Sequence, residues 1–285
     1  MKRCQDGLAM TEVLVAMALS LLVVLVAASL MHAANSGFMH NGANTRIDDN
    51  GHFALAIIGQ SLREAGYAGE PGAAGSPSLP LAVEGRDASS VAEGADGLGT
   101  PQAAINDSDA LAVRYAPSAI TGAQSGGAML NCAGFPTNPG EWAWSIFYVA
   151  RASDGIAELR CKYKGQHGWG ADAVIRGVDA FQVLYGIDTD TPRDNIPNLY
   201  LSAGAIDALD AALPIADQAM RPSWRRVTSV RIALLLHGEQ GSRPGGVLSS
   251  YDLLPGVRLD EARLPLSMQH RARRLFTATF ALRNL

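Results

Sequence analysis

The sequence predicts an α+β fold. One long N-terminal α-helix, membrane-spanning in its first half, packs by its second half on an antiparallel β-sheet head. Three observations predict this. Leu8–Met31 is an almost uncharged apolar run. A stretch with helically spaced apolar residues follows it. Beyond that stand short apolar segments separated by loops rich in Gly, Pro and Asp.

The chain has 285 residues, 48% hydrophobic and 18% charged, enough for one sizeable core. Its 30 Gly and 14 Pro favour short elements and loops over a helical bundle. A formal charge of −4 gives no reason to expect a nucleic-acid partner. Arg221–Leu285 nevertheless holds 11 Arg against 4 acids. The preferred reading is that this arm balances an acidic middle section. A DNA- or phospholipid-facing patch is the alternative.

Residues 1–7 read MKRCQDG, and the 24 residues from Leu8 to Met31 carry a single charge, Glu12. At about 1.5 Å per residue this run spans a bilayer core. Lys2 and Arg3 before it keep the N-terminus cytoplasmic, so the rest is translocated. A secretory signal peptide would have a shorter apolar region. Ala27, Ala28 and Ser29 imitate its cleavage site, but that reading leaves Glu12 unexplained. A carboxylate in an apolar helix calls for a partner. A cut after Gly7 supplies one: Leu8 gains a free cationic amine one helical turn before Glu12. When subunits stack, the carboxylate of one meets the amine of its neighbour. Removing either strands the other, a loss of several kcal/mol in an apolar setting.

Basic leader, Gly7, an apolar residue, three further residues, Glu12 and an apolar run together resemble the prepilin signal of type IV pilins and type II secretion pseudopilins. The family usually has Phe where Leu8 stands. It often has Thr/Ser-Leu-Ile/Val before the Glu, where this chain has Ala9, Met10 and Thr11. The resemblance implies cleavage between Gly7 and Leu8 by prepilin peptidase and methylation of the Leu8 amine. It divides the chain into a leader (1–7), a transmembrane and assembly helix (8–34) and a periplasmic head (35–285) that includes the second half of the helix. It also implies an inner-membrane, single-pass protein that later joins a pilus or pseudopilus. The partners implied are major and other minor pilins, the peptidase and inner-membrane lipid.

Loss of the leader resolves the cysteine count. Cys4 leaves with it, and Cys132 and Cys161 remain as a pair. A disulfide between them fits an oxidising periplasm and would stabilise the fold by about 2–4 kcal/mol. Two unrelated buried thiols are the alternative.

Beyond the apolar run, Ile47, Phe53, Ile57, Ile58 and Leu62 recur at helical spacing. Gly37, Gly42 and Gly51 weaken the helix by up to about 1 kcal/mol each. The expected helix runs from about Leu8 to Ala65 and is ended by Gly66 and Gly69. Asn50–Gly69 resembles the segment after the membrane helix of PilW-type minor pilins. Arg63, Ala65, Gly66, Tyr67 and Gly69 fit, while His52 stands where Arg is usual.

In the head, Glu70–Gly99 reads as a long surface loop. Strands are expected over Asp109–Tyr115, Trp144–Ala150, Ala157–Tyr163, Val178–Tyr185, Val227–Leu236 and Leu275–Leu282. Gly177–Asp190, Trp224–Leu236 and Arg273–Leu285 resemble PilW-type blocks in the same order. The resemblance implies a minor pilin of the priming or tip complex, acting through helix packing and the Glu12–amine pair. A J-like minor pseudopilin is the alternative. A tip adhesin or DNA-binding module is a further one.

Chemistry has little support in the sequence. Asp188, Asp190 and Asp194 offer oxygen ligands for calcium, but the spacing fails the EF-hand pattern and Pro192 and Arg193 intervene. A solvated turn is preferred. The six His are scattered, and no zinc, phosphate-loop, dinucleotide or nucleophile-elbow motif is present. Neither catalysis nor a cofactor is expected. The four Trp read as core residues.

Overall fold

The computed structural model describes residues 10–68, 79–116, 129–138, 141–243 and 246–284, without the side chains of 33–41 and 43. Two compact units divide between Arg46 and Ile47. Helix α1 (Met10–Glu64) supplies the first unit and enters the second.

In the first unit no Gly or Pro interrupts the helix from Met10 to Asn35. The 23 residues Met10–His32 are long and apolar enough to cross a membrane, and none is buried. Large apolar side chains are exposed all round, as a lipid-facing helix requires. Ser20 and Ser29 donate to the Met17 and Val26 carbonyls one turn back (2.9 and 2.8 Å), so their hydroxyls are satisfied within the helix.

The second unit is β-rich. In chain order its strands are β1 (Val83–Arg86), β2 (Ser89–Ser90), β3 (Gln102–Ala103), β4 (Ala110–Tyr115), β5 (Ala143–Arg151), β6 (Ala157–Gly165), β7 (Gly168–Arg176), β8 (Val178–Ile187), β9 (Leu199–Leu201), β10 (Val227–His237), β11 (Ser250–Leu254), β12 (Val257–Asp260) and β13 (Arg273–Ala281). Two short helices, α2 (Ala203–Ala211) and α3 (Ile215–Gln218), lie between β9 and β10. Strands β1-β4-β5-β6-β7 form one antiparallel sheet, and β13-β10-β8-β9 form another. The pairs β2–β3 and β11–β12 are separate hairpins.

The main core joins helix and sheets. Ile58 and Leu62 of α1, Leu111 and Phe147 of the first sheet, and Phe181 and Ile232 of the second are all buried in it. Each sheet is also covered on its outer face. Val91 and Leu98 pack on Ile146 and Tyr148 of the first sheet. The β11–β12 hairpin packs Leu253 and Leu259 on Ala233 and Leu235 of the second. This double cover explains why β5 and β10 are apolar on both faces.

Two expectations change. The buried stripe of α1 in the head is Ile47, Gly51, Ala54, Ile58, Leu62 and Ala65, a 3.6-residue period. Phe53 lies off it and is 53% exposed. The expected surface loop holds strand β1, and Leu81, Val83, Val91 and Leu98 are buried. Large apolar groups are few there because a cation does the anchoring. The buried Lys162 ammonium donates to the carbonyls of Ala92, Ala95 and Gly97 (2.8, 2.7 and 2.7 Å) and lies over the Trp169 ring.

The last strand runs alongside α1 in the same direction. Arg274 pairs with Asp48. Phe276 meets His52 edge-on at 5.5 Å. Phe280 lies against Gly59. The Asn284 side chain then donates to the carbonyls of Arg63 and Ala65 (3.1 Å each), closing the helix C-terminus.

Candidate functional site

Gly7 and Leu8 lie outside the described residues, as does Cys4. Glu12 sits in the first described turn of α1, the one acidic group in an exposed apolar surface.

The head carries a rigid disulfide loop. Cys132 and Cys161 are joined with Cα atoms 5.9 Å apart. Cys161 is fixed in β6. The loop holding Cys132 is tied to the first sheet by the Cys132 N–H donating to Ser145 Oγ (3.1 Å) and Tyr115 donating to the Leu130 carbonyl (3.0 Å). Asn131 Oδ1 accepts from the N–H groups of Ala133 and Phe135, which sets the turn.

Carboxylate oxygens of Asp188, Asp190 and Asp194 come within 4.8 Å of one another. Asp188 is fully buried, and its carboxylate already has partners. It accepts from the N–H groups of Asp190 (2.9 Å), Asp194 (3.0 Å) and Asn195 (2.8 Å), with Arg193 at 3.9 Å. Burial alone would raise its pKa. The three N–H donors and Arg193 outweigh it and hold the carboxyl below the usual range. The oxygens that a cation would use are thus organising the turn.

Part of the Arg-rich arm is ion-paired within the head. Arg221 bonds Glu84 and Asp207 (2.6 and 2.7 Å), and Arg258 bonds Asp252 (2.6 Å). Fully buried Arg273 bridges Asp179 and Glu261 (2.6 and 2.8 Å), and Arg243 also pairs with Glu261. With Arg274 on Asp48, five of its eleven arginines are thus paired within the head, which weakens the case for a basic field.

Sequence reasoning did not find the Lys162 cage or this buried ion network. A lone Lys between Cys161 and Tyr163 in an apolar strand was the available signal for the first. Among the tryptophans, Trp224 is buried edge-on to Tyr185 (4.8 Å). Trp144 and Trp169 meet edge-on at 5.7 Å and are only partly buried, with Arg114 and Lys162 over their respective rings.

No curated protein matches the chain. Among solved structures, the chain is similar to a type IV-like pilin from Thermus thermophilus, with 15% identity, 84% of this chain and 98% of that chain covered, and a TM-score of 0.39. Residues 146–284, from the middle of β5 to the residue that closes α1, match the family model described as Type IV Pilus-assembly protein W, a match that supports a part in type IV pilus assembly.

Proposed function

We propose that the chain is a minor pilin of the priming or tip complex of a type IV pilus. It acts as an assembly subunit and not as a catalyst. Prepilin peptidase cuts after Gly7, and the new Leu8 amine is methylated. The anchor holds the subunit in the inner membrane with the head in the periplasm. During assembly, Glu12 of one subunit meets the Leu8 amine of a neighbouring pilin. The observation that carries this reading is Glu12 on the exposed apolar helix Met10–His32. The family match over the head supports it. A carboxylate has a use in such a helix when it pairs with the cation of a neighbouring subunit during assembly.

Mass spectrometry of the protein from membranes tests the processing. The expected chain starts at Leu8 and carries one added methyl group; a start near Ser29 overturns it. The Glu12→Ala variant tests the charge pair. It should reach the membrane at the normal level and be depleted from sheared pili. Normal incorporation would refute the pairing.

A further inference from the structure

A disulfide reacts when a thiolate attacks one of its sulfurs, so access decides which sulfur is attacked. Cys132 and Cys161 both line a groove of about 420 Å³ in the head. The rest of its lining includes Phe53 and Ile57 of α1, Phe135 of the disulfide loop and Val174 of β7. The two cysteines differ in access. Cys161 stands within β6, between Phe147 of β5 and Asp172 of β7, and is fully buried. Cys132 stands in a loop and keeps 7% of its surface exposed.

Both residues are also held in place by bonds that do not involve sulfur. Cys161 is fixed by the ladders to β5 and β7. The loop holding Cys132 closes on itself, because Asn131 N–H donates to the Phe135 carbonyl (2.9 Å) and Thr137 N–H to the Met129 carbonyl (3.1 Å). It is anchored to the first sheet through Ser145 and Tyr115, and the Asn138 side chain donates to the Gly165 carbonyl of β6 (3.1 Å). Breaking the S–S bond removes none of these contacts.

We propose that the Cys132–Cys161 bond is a thiol–disulfide exchange site of the folded head, opened at Cys132 by a dithiol. A thiolate of the dithiol attacks Cys132 Sγ, the S–S bond breaks, and Cys161 leaves as a thiolate and takes up a proton. The second thiol of the dithiol gives up its proton and attacks the incoming sulfur. Cys132 is released and protonated in turn. The dithiol is oxidised to a disulfide, and the head is reduced to two thiols. With an oxidised dithiol the same steps run backwards and close the bond. Attack at Cys161 would release the less buried thiolate, but full burial denies that path. The two thiols stay adjacent in the reduced head, so closure needs no loop search through the unfolded chain. The site is independent of any part the chain takes in a pilus.

The test uses the full chain with Cys4→Ser, in detergent micelles, with dithiothreitol and no denaturant. Both thiols of the pair should appear at a rate proportional to dithiothreitol and unchanged by urea below the unfolding transition. Tryptophan emission should stay that of the folded head. A rate that climbs with urea in step with unfolding overturns the proposal, as does emission of an unfolded head on reduction. Single-thiol chains read the sulfur attacked. In Cys161→Ser, Cys132 should react with an aromatic disulfide reagent while the head is folded. In Cys132→Ser, Cys161 should react only once urea unfolds it. Equal rates, or a faster Cys161, overturn the assignment to Cys132. The reduction kinetics need neither variant, so they decide even where a single-thiol chain fails to fold.

Discussion

Gly51 of α1 lies under the ring of Phe276 on β13, so close that a Cβ at position 51 would overlap the ring. The strand follows the helix closely because the helix has no side chain there. Gly59 repeats the arrangement with Phe280. Glycine weakens a helix by about 1 kcal/mol relative to alanine. Overpacking a core typically destabilises by about 1–3 kcal/mol. Gly51→Ala should therefore lower the melting temperature despite improving helix propensity. Phe276→Ala should cost about 3–5 kcal/mol through the cavity it leaves. In the double variant the two losses should be less than additive, because the alanine methyl then enters space the ring has left. Circular dichroism melts of the full chain in detergent would decide; a stabilising Gly51→Ala sinks the argument.

Lys162 is the second structural pivot. Its three ammonium protons match three carbonyls of residues 92–97, and burial pushes its pKa down. Replacing it with methionine leaves those carbonyls without their donor. Hydrogen bonds to charged groups contribute about 1.5–3 kcal/mol each, so Lys162→Met should destabilise the head by roughly 3 kcal/mol or more. The 87–99 segment should also become the first site of limited proteolysis. Unchanged cleavage kinetics there would rule out the clamp.

Asp109 gives stability a pH dependence. Its carboxylate accepts from the N–H groups of Ala88 and Val183 (2.9 and 2.8 Å). Burial nevertheless pushes its pKa up to about 7, against those two bonds. A carboxyl raised on folding contributes stability that is fully present below its unfolded value near 4 and is lost as pH rises through about 7. His237 acts in the opposite sense: burial lowers its pKa, so its contribution is present above about pH 6.5 and lost below it. The difference in denaturation free energy between the chain and Asp109→Asn isolates the first term. That difference should change across pH 4–7 by at most about 1.4 kcal/mol per pH unit. A flat difference would count against a raised Asp109.

Much of the fold was legible because apolar residues write their own period. The strands over Trp144–Ala150, Ala157–Tyr163 and Val227–Leu236 fall within two residues of β5, β6 and β10. What escaped was held by other forces. β7 opens Gly-Trp-Gly-Ala-Asp-Ala, which shows no alternation of large apolar groups. Residues 92–97 are held by a buried ammonium, so that stretch's own side chains give no sign of it. Phe53 reads as part of the stripe at roughly helical spacing, but it stands about one residue off the 3.6-residue phase. Gly51 read as a weak point and is where a ring docks. The Glu12 pattern was readable because a single acid in an apolar run stands out against its surroundings. The aspartates at 188, 190 and 194 read as ligands or turn, and composition alone could not choose between them.

Geometry favours the turn. Each Asp188 oxygen has at least one backbone N–H donor, and the group is fully buried, so a cation would compete with bonds that shape the loop. Asp188→Ala should lower the melting temperature in calcium-free buffer, since it leaves three N–H groups without their acceptor, an effect of about 1–3 kcal/mol or more. Its pKa is held low, so its contribution is present above about pH 4 and lost as pH falls through the depressed value. Asp190→Asn and Asp194→Asn leave the Asp188 bonds in place and should have small effects. Millimolar calcium should not move the melting temperature of the unaltered chain. A calcium-dependent rise that vanishes in the Asp190→Asn variant would show instead that the loop is a cation site.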